Sequence, residues 1–161
     1  MNLLADAPDW LRWILFTLLV AAAAQDAAQL KISNVITFAV LLLGLAAIAL
    51  QGIEIGVWQN LATFAAVLGV GTLLFSRGFL GGADVKLFAA VALWTDFHGA
   101  LWLVAAILLC GGVLAIAVLL LRLISPARAS ARVKMLQPKS GIPYGVAISA
   151  GTIIVSLFRA A

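Results

Sequence analysis

Two aspartates, Asp26 and Asp84, are the residues in this chain best suited to chemistry. The sequence has six Asp and Glu residues in all. Asp6, Asp9, Glu54 and Asp96 fall in segments that an alternating membrane topology puts on one side. Asp26 and Asp84 fall at the ends of hydrophobic runs on the opposite side, among Lys and Arg residues. A charge at membrane depth is costly and normally faces a partner, a cavity or water. Two neighbouring carboxylates cannot both ionise cheaply and tend to share one proton. The protonated acid can donate to a peptide carbonyl while the ionised one activates water, which is how aspartic proteases hydrolyse amides. A structural reading stands beside this. Asp is a good N-cap, so Asp84 could cap the helix it precedes, with Asp26 solvated at the interface.

Asp84 lies in the junction Gly81-Gly82-Ala83-Asp84-Val85-Lys86. Gly81 and Gly82 permit a tight turn or the close passage of a peptide backbone, while Ala83 is small but lacks access to positive φ. Lys86 either anchors at lipid headgroups or tunes Asp84. Anchoring is the simpler expectation, because long basic stems snorkel readily.

The elements that must position these acids are membrane spans. The chain of 161 residues is 65% hydrophobic, and its mean hydropathy is +1.20. A soluble domain of this size could not hide that much apolar surface, so lipid must complete the burial. The fold expected is all-α: a polytopic membrane bundle with about six transmembrane segments, residues 1–161 forming a single domain. Apolar segments run over about 10–25, 35–51, 57–76, 84–97, 99–123 and 142–158. The fourth is short, since its fourteen residues give roughly 21 Å against a hydrocarbon core of about 30 Å. Ser33 and Asn34 suit the start of the second, Asp96 to Gly99 an external turn, and Gly141 with Pro143 the start of the sixth. The leader Met1 to Pro8 carries acid and no Lys or Arg, so the first segment is expected to be a retained span rather than a cleaved signal.

Charge orients the bundle. With the N-terminus outside, Lys31, Arg77, Lys86, Arg122, Arg128, Arg132, Lys134 and Lys139 lie inside, leaving only Arg12 and Arg159 outside. Cytoplasmic loops carry such an excess. The basic loop Ser125 to Ser140 is expected to touch anionic lipid headgroups. The net charge of +4, gathered beside spans, gives no reason to expect a nucleic-acid partner. Cys110 is the single cysteine, which excludes an internal disulfide and a cysteine-based zinc site.

The junction Gly81-Gly82-Ala83-Asp84-Val85-Lys86-Leu87 resembles the GxGD-K-L signature of the type IV prepilin peptidases, membrane aspartic proteases also called leader peptidases. Asp26 with Lys31-Ile32-Ser33-Asn34 resembles the family's first-aspartate region, in which Ile-Pro-Asn commonly follows a basic residue. Ile142-Pro143-Tyr144-Gly145-Val146-Ala147 resembles its final-span Pro-Tyr-Gly-x-Ala segment. The three motifs occur in the family's order and span most of the chain. The shortness of the chain and its lack of a cysteine cluster resemble the branch serving Flp/Tad-type pili, which implies peptidase activity without N-methylation. The resemblance implies Asp26 and Asp84 as catalytic residues, with Gly81, Gly82, Lys86, Asn34, Pro143 and Tyr144 as substrate-binding or motif support. It implies water as nucleophile, with neither cofactor nor metal. The partners implied are a prepilin or pseudopilin precursor, with a short basic leader and a hydrophobic helix, and the lipids of a bacterial cytoplasmic membrane. Two departures stand out: Ala83 replaces the second glycine of GxGD, and Ser33 replaces the proline before Asn34. A non-catalytic membrane scaffold or transport component of a pilus or secretion system is the alternative, its two acids binding a cation or stabilising assembly.

Overall fold

The computed structural model describes residues 1–52, 54–124 and 141–160. The basic loop Ser125 to Ser140, with Arg128, Arg132, Lys134 and Lys139, and the side chain of Arg159 lie outside the described residues. All regular structure among those described is helical: α1 (Leu3–Asp6), α2 (Asp9–Gln29), α3 (Asn34–Gln51), α4 (Val57–Ser76), α5 (Gly82–Ala92), α6 (Phe97–Ile124) and α7 (Tyr144–Ala160). Four of these, α2, α3, α4 and α6, are long and apolar enough to cross a membrane. Their outward faces carry Trp13, Phe38, Leu73, Leu109 and Val113, all exposed. Large apolar side chains on the outside and a helical backbone that satisfies its own hydrogen bonds are what lipid demands. The chain is a multi-pass helical membrane protein.

The expected count of six spans is not matched. α5 has 11 residues and reaches roughly 16 Å, about half the hydrocarbon thickness. α7 has 17 residues and falls short of the length that defines the four long helices. The fourth segment, expected over 84–97, is cut at Ala92 because Leu93 to Asp96 form a turn, and Asp96 Oδ1 then accepts from Gly99 N–H at 2.6 Å to open α6.

α5 is short because the protein, rather than lipid, surrounds it. Val85, Leu87, Ala89, Ala90, Val91 and Ala92 are buried, and the helix packs on α3, α4 and α7. Its final carbonyls therefore need partners inside the bundle. Asn60 Nδ2 of α4 donates to Leu93 O at 2.9 Å, and Thr95 Oγ1 donates to Ala92 O at 2.9 Å. The Leu4 N–H reaches Trp94 O at 3.2 Å. Asn60 also donates to Met1 O at 2.9 Å, and Ser156 Oγ of α7 to Leu4 O at 2.7 Å. The leader, which carries acid and no Lys or Arg, forms α1 and plugs this end of the bundle, with Leu3 and Leu4 fully buried.

The opposite end holds the residues of interest. On α2 the buried positions are Leu11, Leu15, Leu19, Ala22 and Asp26. These follow the i, i+3, i+4 rhythm of a single helix face, so the stripe that packs α2 also turns Asp26 inward.

Candidate active site

A cavity of about 690 Å³ lies where α2 ends, α3, α5 and α7 begin, and the α4–α5 loop crosses. Asp26 and Asp84 both line it, together with Lys31, Asn34, Gly81, Gly82, Lys86 and Tyr144. Gly78, Phe79, Gly81 and Gly141 on its wall are exposed, so the cavity opens at the end of the bundle. Of the eight residues singled out from the sequence, seven line this space. Pro143 does not; it is buried beneath it, and its carbonyl accepts from Val146 N–H at 3.1 Å in the first turn of α7.

Asp26 is only 4% exposed, which corrects the reading of it as a solvated interfacial acid. Its Oδ2 accepts from Gly145 N–H at 2.7 Å. The carboxylate thus sits on the first turn of α7, where unpaired amides and the helix dipole favour negative charge. Gly145 is glycine for lack of space: a Cβ there would stand 2.9 Å from Asp26 Oδ2, 3.1 Å from Asp26 Cβ and 2.6 Å from Ile32 Cδ1. The Pro-Tyr-Gly segment and the first-aspartate region are therefore two halves of one contact. Gly145 was missed as a site residue, although it lies inside the segment already quoted.

Asp84 is not the N-cap of its helix. Gly81 holds that position and Asp84 is the third helical residue. Its carboxylate turns back toward the Gly81 amide, the reach-back of an acidic residue in a capping box. A Cβ on Gly81 would lie 2.6 Å from Asp84 Oδ2. Gly81 has φ −75°, so space rather than backbone freedom makes it glycine. The positive φ in the junction belongs instead to Gly78, at +77°, a conformation that glycine adopts without the steric cost of a Cβ. Ala83 is an ordinary helical residue, so the loss of a second glycine there constrains nothing. Asp26 and Asp84 lie close enough for the charge of one to act on the other.

Lys86, expected to anchor at headgroups, is exposed, and its Nζ donates to Asn34 Oδ1 at 3.2 Å, joining the N-terminal parts of α5 and α3 on the cavity wall. Ser33, the departure from proline, caps α3: its Oγ accepts from Val35 N–H at 3.2 Å, and its own N–H donates to Gln25 Oε1 at 2.6 Å. Proline has no N–H to give, so here Ser33 and Gln25 together fix the passage from α2 to α3. Leu30 completes that passage in the left-handed region at φ +54°, with its N–H on Asp26 O at 2.8 Å. Among the described residues, no three His, Cys, Asp or Glu side chains converge as a metal site.

These features define a helical membrane protein with two carboxyl groups facing one cavity at the end of its bundle. The profile of the type IV leader peptidase family matches residues 13–116, a stretch that includes both aspartates, and the chain belongs to that family. No curated protein and no solved structure gives a significant match.

Proposed function

We propose that this chain is an endopeptidase that removes the leader of type IV, Flp/Tad-type prepilins at the cytoplasmic edge of a bacterial inner membrane. Asp26 and Asp84 form the acting pair. The observation that carries this reading is the convergence on one cavity of two motif aspartates from distant parts of the sequence. One carboxyl group, protonated, donates to the scissile carbonyl. The other, ionised, takes a proton from water as the water oxygen bonds to the carbonyl carbon. The tetrahedral adduct then collapses: the C–N bond breaks, the amine leaves with a proton, and the pair returns to its shared-proton state. The substrate backbone must be extended at this point, because an intact helix occupies its own carbonyls. Gly81 leaves room for the Asp84 carboxylate to fold back over its helix end, and the Lys86–Asn34 contact holds the facing wall. The positive-inside bias supports an outside N-terminus and an active site on the cytoplasmic side.

The scaffold alternative draws on one observation, the Asp26 bond to the Gly145 amide of α7, which is a structural role in its own right. Incubating the purified, folded protein with a precursor bearing a basic leader and one hydrophobic helix, then mapping the new N-terminus, separates the two. A single cut between leader and helix is expected. An intact precursor after prolonged incubation would favour the scaffold.

A further inference from the structure

A second hollow meets the cavity at Asp84. α6 lies tight against α7, where a Cβ on Gly151 would stand 2.8 Å from the Ile107 backbone nitrogen. α4 lies equally tight against α5, where Val85 Cγ1 fills the space 2.6 Å from a Cβ on Gly71. α4 and α6 themselves touch sparsely. Between them runs a groove of about 510 Å³ with Val70 and Leu74 on one wall, Leu108 and Gly112 on the other, and Phe88 at its base. Val70 is 59% and Leu108 69% exposed, so the groove opens sideways where lipid would lie. Its inner end is formed by Leu80, Asp84 and Tyr144, the same three side chains that line the polar cavity.

We propose that this α4–α6 groove seats the hydrophobic helix of the precursor, an assignment that rests on the peptidase reading above. Two hollows, one of mixed polar and apolar lining and one almost wholly apolar, share one wall, and the shared wall carries Asp84. A molecule filling both fits best if it is apolar up to Asp84 and carries polar groups beyond it. A single membrane helix preceded by a polar leader has that form, with its scissile peptide at the boundary. Gly112 gives the helix a place to approach: a Cβ there would meet nothing within 4 Å, and small residues are how helix backbones come close in lipid. The groove thereby sets the register of cleavage, because helix seating fixes which peptide reaches Asp84.

Gly112 and Gly69 make a matched pair for the test. Both are exposed, and a Cβ on either meets nothing within 4 Å, but only Gly112 lines the groove. In a Cys110→Ala background, Gly112→Cys and Gly69→Cys are each oxidised in membranes with a precursor whose single cysteine is stepped along its helix. Disulfides from position 112 along one face of the precursor helix, and none from position 69, are the expected result. Gly112→Leu should lower precursor cleavage about tenfold or more, as added bulk in a fitted apolar subsite does, while Gly69→Leu leaves it unchanged. Cross-linking that is absent at 112, or equal at both positions, together with normal cleavage by Gly112→Leu, would give the groove to lipid and leave the peptidase reading intact. Cross-linking at 112 without cleavage by the unsubstituted protein would keep the docking groove and overturn the peptidase.

Discussion

Replacing Gly145 by alanine tests how the site is held. The added methyl would stand 2.9 Å from Asp26 Oδ2, which is tied to the Gly145 amide, and 3.1 Å from Asp26 Cβ, which the backbone of α2 fixes. It would also stand 2.6 Å from Ile32 Cδ1, which can rotate away. The carboxylate must then move off the Gly145 amide it now meets at 2.7 Å. A hydrogen bond to a charged group contributes about 1.5–3 kcal/mol, and overpacking costs about 1–3 kcal/mol more. An acid displaced by roughly an ångström from its working position costs about 100-fold in rate. Gly145→Ala should therefore lose about two orders of magnitude in precursor cleavage at matched membrane levels and melt at lower temperature. Gly69→Ala is the control, since its methyl would meet nothing within 4 Å. Ile32→Val in the Gly145→Ala background removes only the Ile32 clash. Partial rescue is expected; full rescue, or normal cleavage by Gly145→Ala alone, would refute the claim that crowding acts through Asp26.

Lys86→Met and Asn34→Leu should each lower cleavage by a similar modest factor, and the double variant should lose little more than either single. Additive losses in that cycle would mean the Lys86–Asn34 contact at 3.2 Å is not what the two residues contribute. Asn60→Leu strips donors from Leu93 O and Met1 O and should destabilise the detergent-solubilised protein by about 1–3 kcal/mol, read by thermal unfolding; an unchanged midpoint would show that the end of α5 is satisfied some other way. Cysteine labelling in intact cells should reach the Glu54–Gly56 turn from outside and a cysteine at Lys31 only after permeabilisation, and the reverse pattern would invert the orientation.

The long helices were legible in the sequence because membrane spans announce themselves by length and hydropathy. α5 was not, since its apolar run reads on through Leu93 and Trp94, and nothing local says that Asn60 and the N-terminus receive its last carbonyls. The buried leader was hidden for the same reason: Asp6 suggests water, whereas Leu3 and Leu4 are held by contacts from the far end of the chain. At the site, residue types and motif order pointed to the cavity-lining residues, but their pairing did not follow from spacing. That Lys86 meets Asn34, and that Gly145 must be small because Asp26 fills its side-chain space, depend on three helix ends meeting. At Gly81 the backbone φ is ordinary, and the crowding that leaves no space for a side chain comes from Asp84, a contact that no local pattern announces.

The central claim is that Asp26 and Asp84 carry the hydrolysis, and the measurement closest to it is precursor cleavage by Asp26→Asn and Asp84→Asn at matched membrane levels. Asparagine keeps the size of the side chain and an oxygen that can accept from the Gly145 amide or reach back to Gly81, so a structural role would survive. It can neither ionise nor exchange the proton the mechanism needs. Each variant should remain membrane-inserted with near-normal unfolding behaviour and show almost no cleavage. Near-normal cleavage by either would contradict the account and remove that aspartate from the pair.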